Sequence, residues 1–288
     1  MSNTLLKLDS SPSSGIPKLL ESICTTLKTC FRLVYMRTFK NKIITKKILL
    51  FLLLIIISSQ INATSFTQEI WNENRTLYQQ IFDLPFNQKL LGGTLDEKIF
   101  KNYIIQDYFY LQNEQKVFAI LLARAPDKNS AKFLVNSITA VDEEINDIHK
   151  KFFKKFHITE QDLQQAALYP ITEFYNSFLI KTALLEPFEV SLMATLPCSW
   201  LYYKIGVDMK HFKQVKSNKY QAWIDGYGAV SWEKSDTKIF VNLLEQYWLA
   251  TTPRNREKMR QIFKIAMMLE YMFWNDIYQN SRWPATLQ

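Results

Sequence analysis

From about residue 64 onward, apolar side chains recur three and four positions apart through one segment after another, and glycine or proline rarely interrupts them. That spacing lines one face of a 3.6-residue helix, whereas a half-buried strand alternates at period two. No segment of the chain sustains such an alternation. With 6 glycines and 9 prolines in 288 residues, the sequence is also poor in the turns that a many-stranded sandwich or barrel needs. The expected fold class is all-α, a compact multi-helix bundle.

Punctuation places the helices. Thr94-Leu95-Asp96-Glu97 reads as a capping box opening a long helix to about Ala125, where Pro126-Asp127 stops it. A second helix is expected from Ser130 to Phe153, a short one capped by Thr159, and another from Pro170 through Leu185. Pro187 opens a further helix through Cys198 toward Asp208, which Pro197 should break or kink because it lacks a backbone donor. A short helix ends at Gly226 and Gly228, and two more follow over about Thr237–Ala250 and Pro253–Asn280.

Taken whole, 35 Lys and Arg against 27 Asp and Glu suggest a basic protein. The excess is local, because residues 1–63 hold nine of the basic and two of the acidic side chains, leaving 26 against 25 beyond. A body so near neutrality lacks the clustered cations that phosphate backbones require, so no nucleic-acid partner is expected. Within residues 1–63, Lys46-Lys47 runs into ten uninterrupted apolar residues, 48–57, and then Ser58-Ser59-Gln60-Ile61-Asn62-Ala63. This is the order of a secretory signal, and ten apolar residues are about half of the ~20 that span a bilayer. The expected organisation is a basic leader over 1–63, with Met36 an alternative start, followed by one helical domain over 64–288. The product would be exported, periplasmic or secreted; the alternative is an inner-membrane anchor formed by an uncleaved leader, the only membrane contact expected.

Cys24 and Cys30 lie in that leader, so Cys198 is the one thiol beyond it and has no internal disulfide to make. Two readings stand side by side: a small buried hydrophobe, which is common for free cysteine, and a nucleophile. The surrounding run Leu196-Pro197-Cys198-Ser199-Trp200-Leu201-Tyr202-Tyr203 places Tyr202 one turn on, where its phenol could tune the thiol. Two acidic residues are harder to assign to a surface. Asp107 is flanked by Tyr103 and Tyr110, and Glu270 by Phe273 and Trp274, so solvating either carboxylate would wet an aromatic face. A thiol, two embedded carboxylates and several aromatics suit a flat, nitrogen-containing ring.

Metal and cofactor chemistry lacks a comparable signal. The Glu-x-x-His motif of two-metal carboxylate bundles is absent, and Glu144 and His149 are five apart, about 140° round an α-helix. The three histidines (149, 157 and 211) stand among charged, Lys-rich stretches typical of solvated faces, so neither metal nor haem is expected.

Five ordered blocks resemble the thiaminase II (TenA) family. They are Tyr103-Ile-Ile-Gln-Asp107-Tyr-Phe-Tyr110-Leu111, the acidic stretch from Asp142 and Glu144 to His149, Leu196-Pro-Cys198-Ser-Trp-Leu-Tyr202-Tyr-Lys-Ile-Gly206, Tyr220-Gln-Ala-Trp223-Ile-Asp-Gly-Tyr227-Gly228, and Leu269-Glu270-Tyr-Met-Phe273-Trp274. The resemblance implies a haem-oxygenase-like helical fold and a cofactor-free aminopyrimidine aminohydrolase of thiamine salvage. It implies Cys198 as the nucleophile that adds to the pyrimidine, Glu270 as general acid and Tyr202 as the residue tuning the thiol. Asp107 would bind the aminopyrimidine edge, with Tyr110, Tyr227 and Phe273 walling or hydrogen-bonding the ring. The segment Pro170-Ile-Thr-Glu-Phe-Tyr175 only approximates the family's pattern, and Tyr175 is taken as its substrate-contacting tyrosine. Homotetramers occur in the family. The alternative function is a non-catalytic exported protein that binds a pyrimidine or thiamine.

Overall fold

A computed structural model of the protein describes residues 65–212 and 215–284, all within the unit Thr64–Gln288. The leader expected over 1–63 lies outside the described residues. Three short helices come first: α1 (Phe66–Glu73), α2 (Arg75–Phe82) and α3 (Pro85–Leu91). The long α4 (Glu97–Ala123) and α5 (Lys128–Glu144) follow, then a π turn over Ile145–His149 that runs into α6 (Lys150–Lys155). The remainder is α7 (Glu160–Gln165), α8 (Pro170–Leu185), α9 (Phe188–His211), α10 (Gln221–Tyr227), a 3-10 turn at Trp232–Lys234, α11 (Asp236–Ala250) and α12 (Pro253–Gln279). No strand occurs among the described residues, and none of their helices is long and apolar enough to cross a membrane.

The core forms around α9, which packs against α4, α8, α10, α11 and α12. Its sequence explains the position: Val190 through Pro197 are all buried, and a helix that is apolar all round belongs inside a bundle. Pro197 does not break it, contrary to expectation, and the helix runs from Phe188 to His211 with the proline inside. Neighbours on several sides carry the helix past the one missing backbone donor.

Three local expectations also change. Asp96, not Thr94, caps α4, its carboxylate accepting from Lys98 N at 2.8 Å and Ile99 N at 3.3 Å. Thr94 and Leu95 are instead tied back to α3 through the Lys89 carbonyl, at 2.8 and 3.0 Å. The helix expected over Ser130–Phe153 begins earlier, capped by Asp127, and is interrupted by the π turn. Elsewhere the caps fall as read: Thr159 and Asp162 form a capping box, and Thr252 accepts from Asn255 N.

One backbone contact fixes α10 against α9. A Cβ on Gly206 would lie 2.6 Å from Gly228 N and from the Tyr227 carbonyl carbon, so the two segments touch where only glycine fits. That contact brings Tyr227 to the side of Tyr202, their ring centroids 4.9 Å apart.

Candidate active site

The long helix α4 carries Tyr103, Asp107, Tyr110 and Glu114 along one stripe, each three or four residues from the next, and all are buried. α9 brings Cys198 and Tyr202 to the same region, α8 brings Tyr175, α10 brings Tyr227, and α12 brings Glu270 and Phe273. Asp107 and Glu270 are each 2 % exposed, so the aromatic flanks do exclude water from both carboxyls. Cys198 is only partly buried, and with Tyr202, Tyr227, Glu114, Glu144 and Thr195 it lines a cavity of about 720 Å³. Tyr110, Tyr175, Phe273, Asp107 and Glu270 are buried beside that wall rather than on it.

Asp107 is the most heavily engaged group. Tyr202 donates to Oδ1 at 3.2 Å, His149 Nε2 lies 3.0 Å from Oδ2, and Tyr103 reaches Oδ2 at 3.4 Å. Tyr103 also meets Tyr202 at 3.2 Å and receives the indole N–H of Trp223 at 3.3 Å. The phenol of Tyr202 is therefore directed to Asp107, and no hydrogen bond joins it to Cys198 among the described residues. The same helical turn that aligns Tyr202 with the thiol aligns it better with a carboxylate, which is the stronger acceptor.

His149 corrects the sequence reading twice. It is fully buried rather than solvated, and it shares a face with Glu144. The π turn is the cause, because i→i+5 geometry stacks residues five apart where an α-helix would splay them. Nδ1 lies 3.5 Å from the Glu144 carbonyl, and Nε2 points at Asp107. Burial alone would hold this imidazole neutral, but the hydrogen bond and charge of Asp107, with Glu144 behind them, raise its pKa above the ordinary value. Donor atoms of Asp107, Glu144 and His149 lie within 4.8 Å of one another, a spacing that could hold a metal ion. Each already has a partner in the fold: His149 and Tyr202 on Asp107, and Tyr227, which donates a short hydrogen bond to Glu144.

The second carboxyl centre is Glu270. Tyr175 donates to its Oε1 at 2.9 Å, and the Trp274 indole is close enough to ease its charge. Burial outweighs both and lifts the Glu270 pKa to about 8. Tyr110 stands between the pieces, its ring 5.0 Å from Tyr175 and 6.2 Å from Phe273, its hydroxyl buried without a hydrogen-bond partner. Around them the Cys198 thiol is held protonated. Burial raises its pKa well above the ordinary value, and the charges of Glu114, Glu270, Asp107 and Glu144 add to the effect.

The model of the TENA/THI-4/PQQC family matches residues 71–280. The chain belongs to this family. The aminopyrimidine aminohydrolase of Helicobacter pylori is 27% identical over 215 residues, covering 74% of this chain and 99% of that protein. The enzyme of the same name from Bacillus subtilis is 28% identical over 218 residues, covering 76% and 92%. Among solved structures, a TenA homologue from Pyrococcus furiosus superposes with a TM-score of 0.67 at 21% identity, covering 74% of this chain and 99% of that one. A domain with a heme oxygenase-like fold from Shewanella denitrificans gives 0.56 at 14%, covering 76% and 94%. Membership in the TENA/THI-4/PQQC family and the haem-oxygenase-like fold thus agree with the sequence blocks. One buried group on the cavity wall, Glu114, is not singled out by the sequence, and His149, read there as solvated, is buried. Glu114 lies seven residues beyond Asp107, and that period alone was the available signal.

Proposed function

We propose that the protein hydrolyses aminopyrimidines, including thiamine or its breakdown products such as 4-amino-5-aminomethyl-2-methylpyrimidine, to 4-amino-5-hydroxymethyl-2-methylpyrimidine in thiamine salvage. The observation that carries this reading is the one thiol among the described residues, on a cavity wall and coupled to a buried carboxyl that remains largely protonated near neutral pH. The activity for which the Helicobacter pylori and Bacillus subtilis relatives are named supports it, since each is matched over more than nine-tenths of its length.

The roles follow from the chemistry of each group. Cys198 starts as a neutral thiol, so sulfur adds to the electron-poor C6 while its proton passes to the adjacent ring nitrogen. Loss of aromaticity lets the exocyclic methylene carbon expel its nitrogen substituent. Glu270, with a pKa near 8, supplies the proton that an uncharged leaving nitrogen needs, a nitrogen already bearing a positive charge departing without one, and its carboxylate form directs water to the methylene carbon. Elimination of the thiol then restores the ring. Asp107, held by Tyr202, Tyr103 and His149, offers a fixed acceptor for the exocyclic amine of the pyrimidine. Tyr110, Tyr175, Tyr227 and Phe273 supply the aromatic surround, and no metal or cofactor takes part in these steps. The leader over 1–63 directs export of this activity.

Incubating purified protein with the aminomethyl compound and following product by mass spectrometry tests the reading, with Glu270→Gln as control. Release of the hydroxymethylpyrimidine, lost in the variant, is the expected result. Tight binding without any product would favour a pyrimidine-binding protein instead.

A further inference from the structure

The hydrolytic steps use Cys198, Glu270 and Asp107 and leave one buried acid on the cavity wall without a task. Glu114 is 6 % exposed and borders the cavity together with Cys198, Thr195 and Phe118. The other carboxyls at this centre have firm partners: Asp107 has Tyr202 and His149, Glu144 has Tyr227, and Glu270 has Tyr175. Glu114 has no comparable bond. The Tyr110 hydroxyl, itself without a partner at ordinary hydrogen-bond distance, is only near enough to ease its charge.

Its surroundings are acidic. Glu143, Glu144, Asp147 and Asp236 line the same cavity, with Lys132 as the one cationic side chain among the lining residues. Burial, then the charges of Glu144, Glu270 and Asp107, push the pKa of Glu114 well above the carboxylate range. A buried acid without a counter-charge is unfavourable to keep, and an incoming cation is the ligand that relieves it. Cys198 and Glu114 line the same cavity, so the space open to the exocyclic substituent of a pyrimidine engaged by the thiol is bordered by this acid.

We propose that Glu114 is a specificity-determining residue, selecting aminopyrimidines whose leaving nitrogen is positively charged, a primary ammonium or a quaternary ring nitrogen, over those with a neutral amide. The proposal rests on the aminohydrolase reading and deepens it. Asp107 reads the pyrimidine that all these substrates share, and Glu114 reads the part in which they differ. On binding an ammonium, the acid ionises and forms a charge-assisted hydrogen bond that a formamide cannot match.

The test compares kcat/KM for 4-amino-5-aminomethyl-2-methylpyrimidine and its neutral N-formyl derivative in wild type, Glu114→Gln and Glu114→Asp. Glu114→Gln should lose roughly ten- to a hundredfold on the ammonium substrate, the range of a hydrogen bond to a charged group. Its turnover of the formyl compound should stay within about threefold or rise, and Glu114→Asp should recover part of the selectivity. Equal losses on both substrates, or none on either, overturn the proposal. Titration calorimetry of both compounds into Cys198→Ser, with and without Glu114→Gln, asks the same question of binding alone. If wild type turns over neither substrate, the hydrolytic reading fails. The titration then decides Glu114, which is upheld if only ammonium binding weakens and rejected if both or neither do.

Discussion

Tyr175 donates a 2.9 Å hydrogen bond to Glu270, linking α8 to α12 at the acid on which the proposed reaction depends. The bond favours the carboxylate, so it restrains a pKa that burial has already lifted to about 8. Tyr175→Phe removes that restraint and should move the alkaline limb of the kcat/KM profile upward from about pH 8. A pH–rate series on the two proteins checks this, and a limb that stays in place or moves down would dissociate Glu270 from it.

Glu270 also sets a stability trend. Its pKa rises from an ordinary 4.5 to about 8 on folding, so between those values the unfolded chain has released a proton that the folded one retains. Stability from this group is complete below about pH 4.5 and is lost progressively until about pH 8. Each unit corresponds to about 1.4 kcal/mol. Glu270→Gln, which cannot ionise, should therefore unfold at a higher temperature than wild type at pH 8, the gap narrowing toward pH 5. Thermal unfolding across that range measures it.

Cys198 should react sluggishly with iodoacetamide. Burial and the four neighbouring carboxyls keep it a thiol at neutral pH, and only the thiolate alkylates readily. Peptide mapping should show Cys198 modified far more slowly than a free cysteine at pH 7, with the rate still climbing above pH 9. A fast-reacting Cys198 at neutral pH would mean the carboxyls do not act on it as described.

Gly206→Ala should damage both fold and site. The added methyl would stand 2.6 Å from Gly228 N, so α10 must move off α9 and carry Tyr227 away from Tyr202 and Glu144. Overpacking of this kind costs about 1–3 kcal/mol. A Tm several degrees lower, with KM raised more than the stability loss explains, is the expected pair of results.

Much of this architecture can be read from the chain because helical periodicity and end signals act locally. Thr159, Thr252 and Pro170 mark helix starts by chemistry confined to one turn. Burial of Asp107 and Glu270 follows equally directly, since aromatics one turn away leave no room for water. Other features depend on tertiary context. A π turn has no composition of its own, so the pairing of His149 with Asp107, forty-two residues earlier, could not be seen in spacing calibrated to an α-helix. Pro197 has the sequence signature of a break, yet surrounding helices carry α9 through it. Tyr202 was placed correctly on the face of Cys198, but which neighbour its hydroxyl chooses depends on α4, nearly a hundred residues away.

The central claim is that the Cys198 sulfur attacks the pyrimidine ring. Steady-state release of 4-amino-5-hydroxymethyl-2-methylpyrimidine from the aminomethyl compound by wild type and Cys198→Ser measures it most directly, with circular dichroism confirming that the variant is folded. Removing a covalent nucleophile should lower kcat by about a thousandfold or more. Undiminished turnover by folded Cys198→Ser would contradict the account.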